Sequence, residues 1–354
     1  MRRPRWKAIA ALVPAAALIM AGCAPGGEDP RGGGGGGNDA EITVSGTAPE
    51  NPLVPGNTSE AGGGKIIDNL FTGLINYDAE TAEASNAHAE KIDVAKDGKS
   101  MTFTLKKGWK FHDGTEIKAD NYIKAWNYTA YSPNGQQLGS FFEQVEGFDD
   151  VFTVDPDGEE GPKKAPEPKA KEMSGLEKVD DYKFTVTFSE PHPAFQIKVG
   201  YSAFMPLPDA FFSDQEAFEK NPIGSGPFKF VERDPNGITI ERYEEYQGED
   251  KPNIKRATFV FGTPETHYDK LRDNDIDFLN NMPPKALVDN VWKEDLKGRS
   301  GPSGNLSIQL IGFPLYDKKF QDVKFRHAIS MAINRKQITE KIYSNTREPV
   351  NGYG

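Results

Sequence analysis

Along most of the chain, apolar and polar residues alternate in short runs. Glu41-Ile-Thr-Val-Ser45, Met101-Thr-Phe-Thr-Leu105 and Tyr182-Lys-Phe-Thr-Val-Thr-Phe188 put an apolar side chain at every second position, which predicts half-buried strands. Ile238 to Tyr243, Ala257 to Phe261, Ile276 to Leu279 and Ser307 to Phe313 read as further strands. Between them the period lengthens. Lys65 to Asn76 carries Ile66, Ile67, Leu70, Phe71, Leu74 and Ile75 at helical spacing, and Ala119 to Tyr131 reads as a helix capped by Asp120. Phe211 to Lys220, Thr266 to Arg272 and Phe325 to Tyr343 are predicted helices as well. Strands and helices alternate without a repeat period, so the expected class is α/β with antiparallel elements.

Two breaks in this pattern matter. The loop before Lys65 runs through Glu60-Ala-Gly-Gly-Gly64, so a helix N-terminus points at glycines. Such a junction offers unpaired N–H groups and close backbone approach to a ligand, although glycines that only turn the chain would read the same way. From Asp149 to Ser174 the sequence is Asp, Glu, Lys, Pro and Gly with few apolar residues, which predicts an exposed insertion.

The start of the chain follows other rules. Arg2, Arg3, Arg5 and Lys7 precede the apolar run Ala8 to Met20, which is too short to cross a hydrocarbon core of roughly 30 Å and reads as a secretory signal. It ends in Met20-Ala21-Gly22-Cys23, which resembles the lipobox of bacterial lipoproteins, with Met where that motif prefers Leu. The resemblance implies removal of residues 1–22 and a lipid on Cys23 that holds the protein to the outer face of the cell membrane. Residues 23–40, with the glycine run Gly32 to Gly37, are then a flexible tether.

Composition narrows the function classes. The 354 residues are 27% charged and 36% hydrophobic, with 36 Gly, 26 Pro and a net charge of −11, values that exclude an integral membrane bundle and a disordered chain. Acidity argues against a nucleic-acid partner, and a single cysteine excludes a disulfide. His88, His112, His192, His267 and His327 are scattered with no metal-ligand spacing, and no phosphate-binding glycine loop or nucleophile elbow is present. Ser225 lies between Gly224 and Gly226 but Pro227 follows it, and His112-Asp113 reads as a turn closed by Gly114. No catalytic residue, metal or cofactor is therefore assigned, and binding is favoured over catalysis.

Three stretches carry a resemblance. Asn69 to Asp78 with Asp97 to Thr115, then Asn221-Pro-Ile-Gly-Ser-Gly-Pro-Phe228, then Phe320 to Arg335 together resemble the extracytoplasmic solute-binding proteins of family 5, the peptide-binding subunits of ABC importers. The resemblance implies a two-lobed, type II periplasmic-binding-protein-like clamp with an extra inserted α/β domain. Residues 41–72 and 196–280 would build lobe I, 73–195 the inserted domain, and 281–354 the start of an incomplete lobe II. It implies a peptide or oligopeptide ligand between the lobes, delivered by a monomer to a membrane permease. Nickel chelates or oligosaccharides are alternatives within the same fold. Ligand-facing positions by this resemblance are Gly62 and Gly63, then Asn280, Asn281 and Met282 on the crossover, and Phe141 in the inserted domain, with Phe142 beside it. An incomplete second lobe would leave apolar surface exposed on the Phe325 to Tyr343 helix and weaken binding.

Overall fold

The computed structural model describes residues 39–78, 81–157, 163–249, 251–301 and 308–350. The expected signal, Cys23 and nearly all of the tether lie outside these residues. The strands are β1 (Ala40–Gly46), β2 (Ile75–Tyr77), β3 (Ala84–Asn86), β4 (Ala89–Val94), β5 (Ser100–Leu105), β6 (Leu176–Asp180), β7 (Lys183–Thr187), β8 (Phe228–Asp234), β9 (Gly237–Arg242) and β10 (Ile254–Phe261). The helices up to Lys220 are α1 (Ala61–Leu70), α2 (Ala119–Ala130), α3 (Phe148–Val151), α4 (Phe195–Lys198), α5 (Asp209–Ser213) and α6 (Gln215–Lys220). After β10 follow α7 (Pro264–Arg272), α8 (Pro284–Leu287), α9 (Val291–Leu296), α10 (Lys318–Gln321), α11 (Val323–Ala332) and α12 (Arg335–Lys341).

Two four-stranded sheets organise the core. In the first, with order β1-β10-β9-β8, β1 runs parallel to β10, so residues far apart in sequence share one ladder. The second, β4-β5-β7-β6, is antiparallel throughout and lies in sequence between β1 and β8. Its alternation is that of the sequence: Met101, Phe103 and Leu105 on β5 and Phe184 and Val186 on β7 point to one buried face. Phe103 lies opposite Phe184 with rings stacked at 5.1 Å, and α2 covers them with Tyr122, Ala125 and Trp126, spaced three and four apart.

Trp126 is the centre of this packing. Its ring meets Phe103, Tyr122, Phe142, Phe184, Phe195 and Phe204 at 5.4 to 6.2 Å, and its Nε1–H donates to the Phe204 carbonyl at 3.0 Å. Trp126→Ala would remove the largest fully buried side chain and orphan that carbonyl. The expected loss is about 4 kcal/mol of unfolding free energy, read from the midpoint shift in a urea titration. A change below about 1 kcal/mol would contradict this account of the core.

Several elements differ from the sequence reading, each for a physical reason. The first helix starts at Ala61 and includes its glycines, because a Cβ on Gly62 would lie 2.1 Å from Thr47 Oγ1 and one on Gly63 2.6 Å from Thr58 Cγ2. Close approach outweighs the helix cost of glycine, about 1 kcal/mol each. The helix stops at Leu70 because the Leu70 carbonyl accepts the Gly226 N–H at 2.8 Å, and Ile75 onward pairs as a strand. Asp120 is not the cap of α2. Lys118 occupies the cap position, its N–H bonded to Asn121 Oδ1, and Asp120 pairs with Lys178.

The stretch Phe211 to Lys220 is two helices, since Asp214 turns out of α5 to cap α6 at Ala217 N. Likewise the long helix expected over Phe325 to Tyr343 breaks at Ile333, and Asn334 caps α12. Ile276 to Leu279 forms only a single bridge, Phe278 to Val44, because the Asp277 carboxylate takes the Thr43 N–H and hydroxyl at 2.7 and 2.8 Å. Residues 308–313 form no strand, and Leu310 and Ile311 are exposed. The expected exposed insertion is anchored at both ends, with Val151 and Met173 buried and the Met173 N–H bonded to Asn127 Oδ1.

Beyond β10 the packing thins. Tyr268, Ala286 and Leu296 make a small second core, whereas Phe325, Met331, Ile338 and Ile342 are exposed, as expected for this stretch. Among the described residues no helix is long and apolar enough to cross a membrane.

Candidate functional site

The C-terminal end of β1 gathers part of the expected site. Gly62 packs against Thr47, just past the strand, and the Asn280 N–H donates to Ser45 Oγ at 3.2 Å. Gly62 and Gly63 are themselves buried. The N-terminal donors of α1 are partly used by the chain: Glu60 Oε1 accepts from Gly63 N at 3.0 Å and Glu50 N at 3.2 Å, and the Glu60 carbonyl takes the Gly64 N–H. Part of the N–H set expected to be unpaired at this helix N-terminus is thus satisfied within the chain. Asn281 is exposed, and Met282 leans on the small second core with Tyr268 and Leu296. Beside β1 a hollow of about 400 Å³ is walled by Ile42, Val44, Phe259 and Phe278 and rimmed by Lys65, Asp68 and Asn280. Loss of hydration raises the Asp68 carboxyl above its ordinary range and lowers the Lys65 ammonium.

Phe141 belongs to a separate cluster. Its ring lies 5.7 Å from Tyr201 and 6.3 Å from Phe204, with Lys198 Nζ at 5.3 Å, while Phe142 is fully buried in the core. The Leu138 N–H donates to the Gly56 carbonyl at 3.0 Å, which ties this cluster to the loop leading into α1. Three buried side-chain oxygens in these two segments, Asn57 Oδ1, Glu60 Oε2 and Gln136 Oε1, have no donor among the described residues. Sequence reasoning passed over all three, and Lys198 with them. Nothing marks a polar side chain as unpaired until the fold around it is known.

Two of the stretches that carry the family resemblance meet at His112. Its backbone N–H donates to the Gly224 carbonyl at 2.8 Å, its Nδ1 accepts from Gly224 N at 3.1 Å, and its Nε2–H donates to the Gly226 carbonyl at 3.0 Å. These partners require the neutral Nε2–H tautomer, and burial drives the ring's pKa down to about 4. Ser225 is buried, its Oγ donating to the Thr72 carbonyl and accepting the Thr72 N–H, both at 3.1 Å. It is a fastening, with no base poised against it. His88 is buried between Tyr122, whose hydroxyl shares a 2.8 Å hydrogen bond with Nδ1, and Trp109; its Nε2 has no partner among the described residues, and desolvation lowers its pKa to about 3. Among the described residues no group of three His, Cys, Asp or Glu could hold a metal ion.

A mixed sheet joined from distant segments, with a second sheet within the intervening sequence, is the fold of the type II periplasmic binding proteins. Solved structures agree. OppA from Burkholderia pseudomallei superimposes with a TM-score of 0.70 at 21% identity, covering 86% of this chain and 58% of that one. The murein tripeptide-binding protein MppA of Escherichia coli gives a TM-score of 0.68 at 20% identity over 86% and 58%. Residues 83–354 match the bacterial extracellular solute-binding proteins, family 5, and the chain belongs to that family. Among relatives, the oligopeptide-binding protein OppA of Bacillus subtilis is 23% identical over 98% of this chain and 62% of its own length. The dipeptide-binding protein of Escherichia coli is 26% identical over 77% and 50%. The chain thus spans about six-tenths or less of the length of these relatives. Family and neighbours are binding proteins.

Proposed function

We propose that this chain is the ligand-binding subunit of an ABC importer, taking peptides or oligopeptides in a cleft and presenting them, as a monomer, to a membrane permease. In this reading residues 41–72 and 196–280 form lobe I, 73–195 the inserted domain and 281–354 the beginning of lobe II. Cys23 carries the lipid that keeps the protein at the outer face of the membrane. Gly62, Gly63 and Asn280 face the cleft from lobe I, Asn281 and Met282 from the start of lobe II, and Phe141 from the inserted domain. Family membership, with relatives named for oligopeptide and dipeptide binding, supports the ligand class. The observation that carries it furthest is the match of residues 83–354 to family 5 together with a fold shared with OppA and MppA.

The test is a thermal-shift titration with di- to pentapeptides against single amino acids as controls. At a concentration 100-fold above Kd, binding contributes about 2.7 kcal/mol, a rise of several degrees in Tm. A flat response to every peptide length at millimolar concentration would sink the reading.

A further inference from the structure

Lys198 ends α4 and folds its side chain back over Phe141. Its Nζ donates to the Phe141 carbonyl at 2.8 Å and to Gln144 Oε1 at 2.9 Å, and sits 5.3 and 6.0 Å from the Phe141 and Phe204 ring centres. Both oxygens are neutral. The carboxylate that acts on it, Glu143, is engaged by the Gln144 amide, whose Nε2 donates to Glu143 Oε1. Lys118 and Lys178, by contrast, reach carboxylates directly at 2.7 to 3.0 Å. An ammonium has three donors, so one N–H of Lys198 is left after these two bonds. Loss of hydration lowers its pKa, the sign of a charge whose lost water is incompletely replaced.

Around this cation the surface is apolar. Tyr201 is 57% and Ile197 55% exposed, and Tyr77, whose hydroxyl bonds the Ile197 carbonyl, is 37% exposed. On a chain of net charge −11, a carboxylate ligand would be repelled at long range, so its capture requires a local cation that is not directly bonded to a carboxylate of the chain. Lys198 answers that requirement. We propose that Lys198, with the rings of Phe141 and Tyr201, forms a subsite for a carboxylate flanked by an apolar or aromatic group, such as an acidic or C-terminal residue of a bound peptide. The identification of the occupant as part of a peptide rests on the function proposed above; the affinity for a carboxylate does not.

The test uses 3-phenylpropionate and its uncharged counterpart 3-phenylpropionamide, followed by the backbone amide NMR signals of Phe141, Lys198 and Tyr201. In parallel, calorimetry compares peptides ending in a free carboxylate with their C-terminal amides. Both are run on the native chain and on Lys198→Met, which keeps an apolar stem on the rings and removes the charge. The expected result is a saturable shift with the acid, little with the amide, and at least about a tenfold loss of affinity for acid and free-carboxylate peptide in Lys198→Met. Equal response to acid and amide, or equal affinity of native and Lys198→Met protein for free-carboxylate peptides, overturns the subsite while leaving peptide binding intact. A charge-dependent response to phenylpropionate with no response to any peptide keeps the subsite and overturns the peptide reading.

Discussion

Acidification from pH 6.5 to pH 4 is expected to remove about 6 kcal/mol of folding stability through two histidines alone. His88 and His112 titrate near 3 and 4 in the folded chain, against an ordinary 6.5. Above 6.5 both are neutral whether folded or unfolded, and their contribution is fully present. Below 6.5 the unfolded chain takes up a proton on each ring while the folded chain resists until pH approaches 4 and then 3, so stability falls by about 1.4 kcal/mol per pH unit for each. The cause is geometric. Protonated His112 would turn Nδ1 into a donor facing the Gly224 N–H, and protonated His88 would put a charge between Tyr122 and Trp109 with no acceptor at Nε2. His192 and His267 are displaced the same way by desolvation, whereas the raised Asp68 carboxyl opposes the trend. Calorimetric unfolding at pH 5.5, in buffers of different ionisation enthalpy, should show uptake of at least about two protons, reduced by about one in His112→Gln. Uptake near zero would mean that the rings are not held neutral.

How much of this was legible beforehand follows from what each signal depends on. The strands at Met101 to Leu105 and Tyr182 to Phe188 were readable because a period of two is imposed by the residues themselves, and Phe103 and Phe184 met as that period requires. The motif segments carried the family because their order is a property of the sequence, and residues 83–354 match it. Boundaries set by distant contacts were not readable. The end of α1 at Leu70 is decided by Gly226, and the failure of Ile276 to Leu279 to form a strand by Asp277 capturing Thr43. At the site the same division holds. Asn280 was expected from the family resemblance alone, and its N–H bonds Ser45 Oγ, whereas the surroundings of Lys198, Glu60, Asn57 and Gln136 come only from neighbours brought by the fold. The glycines of α1 show the limit from the other side: they read as a loop allowing close backbone approach to a ligand, yet they lie in the helix, and at Gly62 and Gly63 the close neighbours include Thr47 and Thr58 of the chain itself.

Gly224→Ala is expected to cost on the order of 5 kcal/mol or to prevent folding, far more than adding one methyl group normally does. An ideal Cβ at Gly224 would lie 1.8 Å from the Leu70 carbonyl oxygen, 2.7 Å from its carbon and 3.1 Å from His112 Cε1. None of these is the free end of a flexible chain. The Leu70 carbonyl terminates α1 and is held by the Gly226 N–H, while Gly224 gives its own N–H and carbonyl to His112. Relief of the collision therefore requires the 224–226 segment to leave α1, breaking the His112 bonds and the paired contacts of Ser225 with Thr72 together. Loss of several buried hydrogen bonds at once is what carries the cost past the usual range for a point change. Gly64→Ala is the matched control. It lies in α1 with nothing within 4 Å of the added carbon, so relief of the glycine penalty should leave stability equal or raise it by about 0.5 to 1 kcal/mol. Urea unfolding of the two variants separates a steric clasp from a general sensitivity of this helix to substitution. Should Gly224→Ala unfold within about 1 kcal/mol of the native chain, the clasp between the two motif segments does not hold α1 in place, and the position of the α1 N-terminus beside Thr47 must be fixed by its other contacts alone.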